Sequence, residues 1–205
     1  MKYITMKDKQ YPEKLKTIYA PPKGLYVKGN LSLLNEYAVA IIGSRNCSRY
    51  GEIVAKKFGI DLAKIGITVI SGMARGIDTF AHIGCLTGNG KTVAVLGSGL
   101  NKIYPKENEK LYYKILEKGG AIISEYPPDA EPIPEHFPAR NRIISGLCDK
   151  LIVVEAGKRS GTFITVDFAL EQGKEIYAVP GNITSLKSER YKRAYQRWSS
   201  ANYMY

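Results

Sequence analysis

Cysteine is scarce in this chain, with three residues in 205: Cys47, Cys85 and Cys148. They are widely spaced and form no CxxC pair, which argues against a disulfide framework and against a zinc site. No apolar run approaches the length of a membrane span, and the opening stretch Met1–Gln10 has no signal-peptide core. The expectation is a cytoplasmic protein with no membrane partner. Acids are in short supply too, with 19 Asp+Glu against 30 Lys+Arg and a net charge of +11. Without the last twenty residues the balance is still 25 basic against 18 acidic, or +7. A body that is basic in its own right suits an anionic partner such as nucleic acid. Also missing are internal repeats and any Ser-His-Asp or Cys-His set with workable spacing. Catalysis has no visible owner.

What is present is a regular alternation. The length fits one large α/β domain, and an apolar fraction of 44% allows a well-buried core. Short, continuously apolar runs predict strands over 38–42, 67–70, 92–96, 121–124, 151–154 and 176–179. Between them, apolar residues at helical spacing predict helices near 50–65, 76–87, 107–118, 139–147 and 162–172. Such alternation implies βαβ crossovers and a doubly wound, mostly parallel sheet with helices on both faces. Residues 1–36, rich in Lys, Tyr and Pro, read as an arm packed on the core, with a short strand at Leu25-Tyr26-Val27. The core then runs over 37–185, and 186–205 is an atypical basic and aromatic tail. Residues 126–138 hold five prolines and read as a long loop that cannot be helical.

Each central strand run ends in a small-residue turn with a basic side chain. Ala38–Ile42 leads to Gly43-Ser44-Arg45, and 67–70 leads to Ser71-Gly72-Met73-Ala74-Arg75-Gly76. Thr92–Leu96 leads to Gly97-Ser98-Gly99, with Lys102 and Lys106 beyond, and 151–154 leads to Lys158-Arg159-Ser160-Gly161-Thr162. Ligands of an open parallel sheet bind at the carboxyl ends of the strands, so these turns should gather as a Gly-lined positive crevice for a polyanion. Glycines permit close approach, free backbone N–H groups at helix starts favour anions, and hydroxyls and guanidinium forks complete phosphate contacts. Asp78 fits a first-turn structural acid, and His82 a packing histidine. Arg140 and Arg142 flank Asn141 at a helix start, where the dipole prefers acids. They suit either a bound anion or a buried carboxylate such as Glu125 or Glu155. Tyr126, Phe137 or a tail aromatic could stack a base.

Two familiar fingerprints fail. In Gly97-Ser98-Gly99-Leu100-Asn101-Lys102 a lysine stands where the dinucleotide motif needs its last glycine. Gly88-Asn89-Gly90-Lys91-Thr92 imitates the end of a P-loop but has Cys85 at the first glycine position and precedes a strand. A rival reading is a nucleotide-processing enzyme, a phosphoribohydrolase of the lysine-decarboxylase-like type. It would need a Pro-Gly-Gly-x-Gly-Thr run and a following catalytic Glu, to which Lys158–Thr162 is the nearest approach.

Taken together, Gly43-Ser44-Arg45, Ser71–Asp78, Gly97–Gly99 with Tyr104-Pro105-Lys106, Phe137–Ile144 and Ser160–Thr162 resemble the DNA-processing protein A family (DprA, also called Smf). The resemblance runs from about Tyr11 to Ser185 and rests on several motifs in fixed order. It implies an extended Rossmann-like domain that binds single-stranded DNA, protects incoming DNA and helps load RecA recombinase in natural transformation. It implies no metal, no cofactor and no established catalytic activity. The family's DNA-contacting positions map onto Arg45 and Lys106. With the strand-end argument, the candidate DNA-binding set is Gly43, Ser44, Arg45, Gly72, Arg75, Gly76, Gly97, Ser98, Gly99, Lys106, Arg140, Asn141, Ser160, Gly161 and Thr162. The helical N-terminal domain of many members has no counterpart here, and the sequence from Leu186 departs from the family, as a truncation or frameshift would. That stretch contributes to dimerisation and partner contact in the family, so the resemblance carries a homodimer less far than DNA binding.

Overall fold

The computed structural model describes residues 1–157 and 160–180. The tail 186–205, and Lys158 and Arg159 of the fourth turn, lie outside the described residues. All six expected strands and all five expected helices are present. In chain order they are β3 (Ala38–Gly43), α2 (Arg49–Lys64), β4 (Thr68–Ser71), α3 (Ile77–Thr87), β5 (Thr92–Val95), α4 (Glu109–Glu117), β6 (Ala121–Ser124), α5 (His136–Leu147), β7 (Lys150–Glu155), α6 (Thr162–Glu171) and β8 (Glu175–Ala178). Before them come β1 (Lys2–Thr5), the single-turn α1 (Glu13–Lys16) and β2 (Gly24–Gly29).

These strands form one eight-stranded sheet in the order β1-β2-β6-β5-β4-β3-β7-β8. From β6 to β8 every pairing is parallel, while β1–β2 and β2–β6 are antiparallel. Alternation along the strands sorts side chains to two faces. Ala40, Ile42, Ile70, Val93, Ile123 and Val153 face α5 and α6, and meet Ile143, Leu147, Val166 and Ala169. Residues of the N-terminal 36 join this same core through Tyr11, Leu15, Ile18, Leu25, Leu33 and Leu34. Val39, Ile41, Val69 and Val154 face the other way, onto Ala55, Ile77 and Ala81 of α2 and α3. Ala94 and Ile122 continue that face onto Leu111, Tyr112 and Ile115 of α4.

One boundary differs from expectation. Helix α5 starts at His136, inside the Pro-rich stretch read as wholly non-helical, and Pro138 lies in its first turn. A proline there forfeits no i→i−4 bond, because first-turn N–H groups have no such partner.

The order of the sheet also places the crevice. From β3 the chain winds outward through β4, β5 and β6, then returns to the other side of β3 for β7 and β8. The connections leaving β3 and β7 therefore diverge, and a gap opens above their carboxyl ends.

Candidate nucleic-acid interface

A cavity of about 490 Å³ occupies that gap. Gly43, Ser44, Arg45 and Asn46 line it from the end of β3, and Ala74 and Asp78 from the β4–α3 turn. Phe137, Pro138, Arg140 and Asn141 of α5 form a third side, and Gly157, Ser160, Gly161 and Thr162 the approach to α6. A smaller recess of about 60 Å³ adjoins it, sharing Arg45, Ala74, Phe137 and Arg140 and adding Gly72, Arg75, Gly97, Tyr104 and Pro105. Of the fifteen candidate residues, only Gly76, Ser98, Gly99 and Lys106 line neither space. Among the described residues no histidine or cysteine lines the cavity.

The backbone donors of two turns are already occupied. The Gly72–Gly76 turn was expected to offer its N–H groups to an anion. Instead Asp78 Oδ2 accepts from Gly72 N at 3.1 Å and Ala74 N at 3.4 Å. Helix α2 starts four residues beyond Arg45, and its N-cap Ser48 is held by Glu155. The carboxylate accepts from Ser48 N at 3.0 Å and from Ser48 Oγ at 2.7 Å, while Ser48 Oγ accepts from Gly51 N. Glu155 thus caps a helix and is bonded to neither Arg140 nor Arg142. Ser44 is committed as well: its N donates to Glu155 O at 2.6 Å, and its Oγ accepts from Asn46 N at 3.2 Å.

Gly76 has a buttressing place. Its φ is +73°, and a Cβ there would lie 2.7 Å from Arg45 O and closer still to Ser44 O. Ile77 N donates to Ser44 O at 3.2 Å, so the start of α3 carries the turn that projects Arg45. Arg45 is exposed, with its guanidinium 5.4 Å from the Phe137 ring centroid. Phe137 also tilts against Tyr104, with centroids 5.4 Å apart. Tyr126, the other aromatic candidate of this region, has its face covered by His136 at 3.6 Å.

Arg140 is the surprise of α5. It is only 4% exposed, and Nη1 donates to Gly72 O at 2.8 Å and to Val95 O. Nε donates to Asn141 Oδ1 at 3.3 Å. Burial lowers the guanidinium from its ordinary range to about 10, against the pull of Asp78. The same burial pushes the Asp78 carboxyl up to about 6, although Arg140 and the two N–H donors favour its ionised form. Arg142 takes the other alternative, a carboxylate. It meets Glu125 through two 2.6 Å bonds and donates from Nε to Ala20 O, tying α5 to the Pro-rich stretch and to the N-terminal residues.

Four other candidates stand apart. Ser98 is 1% exposed and donates to Lys102 O, and Gly99 packs against the carbonyls of Pro127 and Pro128. Gly99 faces the Pro-rich stretch, Ser98 is held between Lys102 and Ser124, and neither lines the cavity. Arg75 is exposed and paired with Glu107. Lys106 is exposed on the single 3₁₀ turn Lys106–Asn108, one residue beyond the recess wall formed by Tyr104 and Pro105. His82 is fully buried, as a packing residue should be, with Nδ1 2.7 Å from Thr92 Oγ1. Its Nε2 has no partner, and burial together with Arg140 lowers its pKa to about 3, so it stays neutral. What the sequence reading missed were the carboxylate fillers, Asp78 for its own turn and Glu155 for Ser48. Only the proximity of Asp78 to Gly72 could have signalled the first, and nothing local signalled the second.

A Rossmann-like sheet with a basic, Gly- and Ser-lined cavity at its switch point defines a class of α/β ligand-binding domains. Within that class, the chain belongs to the family described as DNA recombination-mediator protein A, which it matches over residues 2–201. It is 47% identical to Protein Smf of Escherichia coli over 179 residues, 87% of this chain and 48% of that protein. The structure of DNA processing protein A from Streptococcus pneumoniae superposes with a TM-score of 0.89 at 42% identity, covering 96% of this chain and 69% of that one. DNA processing protein A from Helicobacter pylori, described for its single-stranded DNA binding mode, superposes at 0.85 with 30% identity, covering 96% of this chain and 88% of that one. The chain therefore spans about half the length of the Escherichia coli relative. Among the described residues no helix is long and apolar enough to cross a membrane, and no group of His, Cys, Asp and Glu is arranged to hold a metal ion.

Proposed function

We propose that this chain binds single-stranded DNA along the carboxyl edge of its sheet, as a binding module and not as an enzyme. Within a longer protein of the kind its relatives represent, it protects incoming DNA and delivers it to RecA recombinase. Pairing of two copies would belong to that same whole protein. The observation that carries the reading is the exposed Arg45 guanidinium over Phe137 at the mouth of a basic cavity. A guanidinium there meets phosphate, and an aromatic face beside it accepts an unstacked base, a contact that single strands offer and duplexes withhold. Arg75, Lys106, Arg140, Asn141, Ser160, Gly161 and Thr162 extend the track on either side, and Gly43, Ser44, Gly72, Gly76 and Gly97 shape the turns that hold it. Gly99 supports the Pro-rich stretch behind it, and Ser98 ties the β5 turn to Lys102 and Ser124.

The test is a salt titration of binding to single-stranded oligonucleotides, with duplex DNA as the control. Arg45→Ala should weaken binding across sequences and flatten the salt dependence by about one phosphate contact, a change of about 0.7 in log–log slope. Tighter binding to duplex than to single strand overturns the reading, and an unchanged slope removes Arg45 from the track.

A further inference from the structure

Arg140 carries a charge that the protein's own groups answer incompletely. Among the described residues its Nη2 makes no hydrogen bond, and no carboxylate lies within ion-pairing distance of it, although it is 4% exposed and lines both the cavity and the recess. Its neighbour Asp78 turns Oδ2 toward Gly72 N and Ala74 N instead. A buried cation bonded only to backbone and amide oxygens, with Asp78 acting on it through space and not in contact, is incompletely compensated, and an anion in the cavity would complete it.

The facing wall offers complementary donors. The ten-residue α6 begins at Thr162, and its N-cap residue Gly161 has no side chain with which to cap the first turn. Ser160 Oγ and Thr162 Oγ1 are 2.6 Å apart, and Ser160 Oγ also accepts from Thr162 N. Only one of the two hydroxyl protons can lie between those oxygens, so the other is available to a ligand. Among the described residues no carboxylate fills this helix start as Glu155 fills that of α2.

We propose that the space between Arg140 and the start of α6 binds a phosphomonoester end-on, either the phosphorylated terminus of a DNA strand or the phosphate of a free mononucleotide. A phosphodiester within a strand carries a sugar on each side, and both need a way out. A group that reaches a guanidinium as buried as this one ends in the cavity instead of passing through it. The terminal phosphate also brings nearly two negative charges and three acceptor oxygens, matching donors that converge from two walls. The strand-end form of this inference rests on the single-strand reading above; the mononucleotide form stands alone.

The experiment compares fluorescently labelled oligothymidylates of one length with a 5′-phosphate, a 3′-phosphate or hydroxyl ends. Unlabelled circular DNA, thymidine monophosphate and thymidine serve as competitors. A phosphorylated end should bind about tenfold more tightly than a hydroxyl end, the worth of one charge-assisted contact. Thymidine monophosphate should compete and thymidine should not. Arg140→Gln should abolish the advantage. Should that variant misfold, Ser160→Ala combined with Thr162→Val, on the other wall, should cut the advantage to about threefold, as loss of one neutral donor would. Competition by the monophosphate without end preference supports the mononucleotide form. Equal affinity for all DNA ends and circles, with no competition by the monophosphate, overturns the inference and leaves strand binding intact. If no DNA binds at all, the strand reading fails, and direct titration with thymidine monophosphate decides this one.

Discussion

The two walls of the cavity are built from the same kinds of residue and end in opposite states. On the β3–β4 side, Gly, Ser and Arg turns present backbone N–H groups that the protein's own carboxylates fill, Asp78 for Gly72 and Ala74 and Glu155 for Ser48. On the α5–α6 side, no carboxylate among the described residues lies within ion-pairing distance of Arg140, and the Ser160–Thr162 hydroxyl pair retains a proton to donate. Turn composition advertises donors, but whether they stay available depends on where an acid arrives in three dimensions. A filled turn is scaffold, and an open one is a site.

The largest way to break the comparison is Arg140→Ala. It would strip Gly72 O and Val95 O of their shared donor and open a void between β4 and β5, costing about 3 kcal/mol. Urea denaturation measures this, and a loss below about 1 kcal/mol would mean that water replaces the guanidinium without strain. Next comes Gly76→Ala, which forces a Cβ toward Ser44 O and Arg45 O at a positive φ, for about 2 kcal/mol. Because the collision lies beneath Arg45, DNA affinity should fall together with stability.

The filled wall also has a pH signature. Burial holds the Asp78 carboxyl near 6 against an ordinary 3.8, so as pH falls through 6 the folded protein takes up a proton that the unfolded chain does not. The contribution of Asp78 to stability therefore rises between pH 7 and 4. His82, one helical turn on, does the reverse: held near 3 against 6.5, it stays neutral when folded while the unfolded imidazole protonates. Asp78→Asn keeps an acceptor for Gly72 and Ala74 but removes the first slope and leaves the second. Relative to the parent, the variant should lose between about 1 and 2 kcal/mol as pH drops from 7 to 4. Parallel denaturation curves across that range would mean that Asp78 ionises like an exposed acid.

The sheet was legible because its cause is local. Strands covered on both faces are continuously apolar, and 38–42, 121–124 and 151–154 declare themselves within a few residues. Strand β1 escaped because Lys2–Thr5, an edge strand, buries only Ile4 and so carries no apolar run. The row of strand-end turns was legible too, since parallel topology alone brings their carboxyl ends to one edge. The assignment of donors was not. Ser48 and Glu155 are 107 residues apart, and only the adjacency of β3 and β7 brings that carboxylate to that helix start. Arg140 and Arg142 look interchangeable in sequence. Two positions rotate a helical side chain by about 200°, which sends one arginine into the cavity wall and the other to Glu125.

The smallest effect sharpens the contrast best, because it compares two serines at two helix starts. Ser48 accepts from Gly51 N and is itself locked by Glu155, so Ser48→Ala removes an N-cap and one of the donors to a half-buried carboxylate, for about 1 kcal/mol. Ser160 accepts from Thr162 N at 3.2 Å with nothing locking it, so Ser160→Ala should cost about half as much in thermal or urea unfolding. Adding inorganic phosphate should reverse the ranking of the two sites. It should stabilise the parent and Ser48→Ala alike, since the Ser48 donors already serve Glu155, and stabilise Ser160→Ala less once Thr162→Val has removed the remaining hydroxyl. Equal stabilisation of all three proteins would place the anion elsewhere and remove the distinction between the filled wall and the open one.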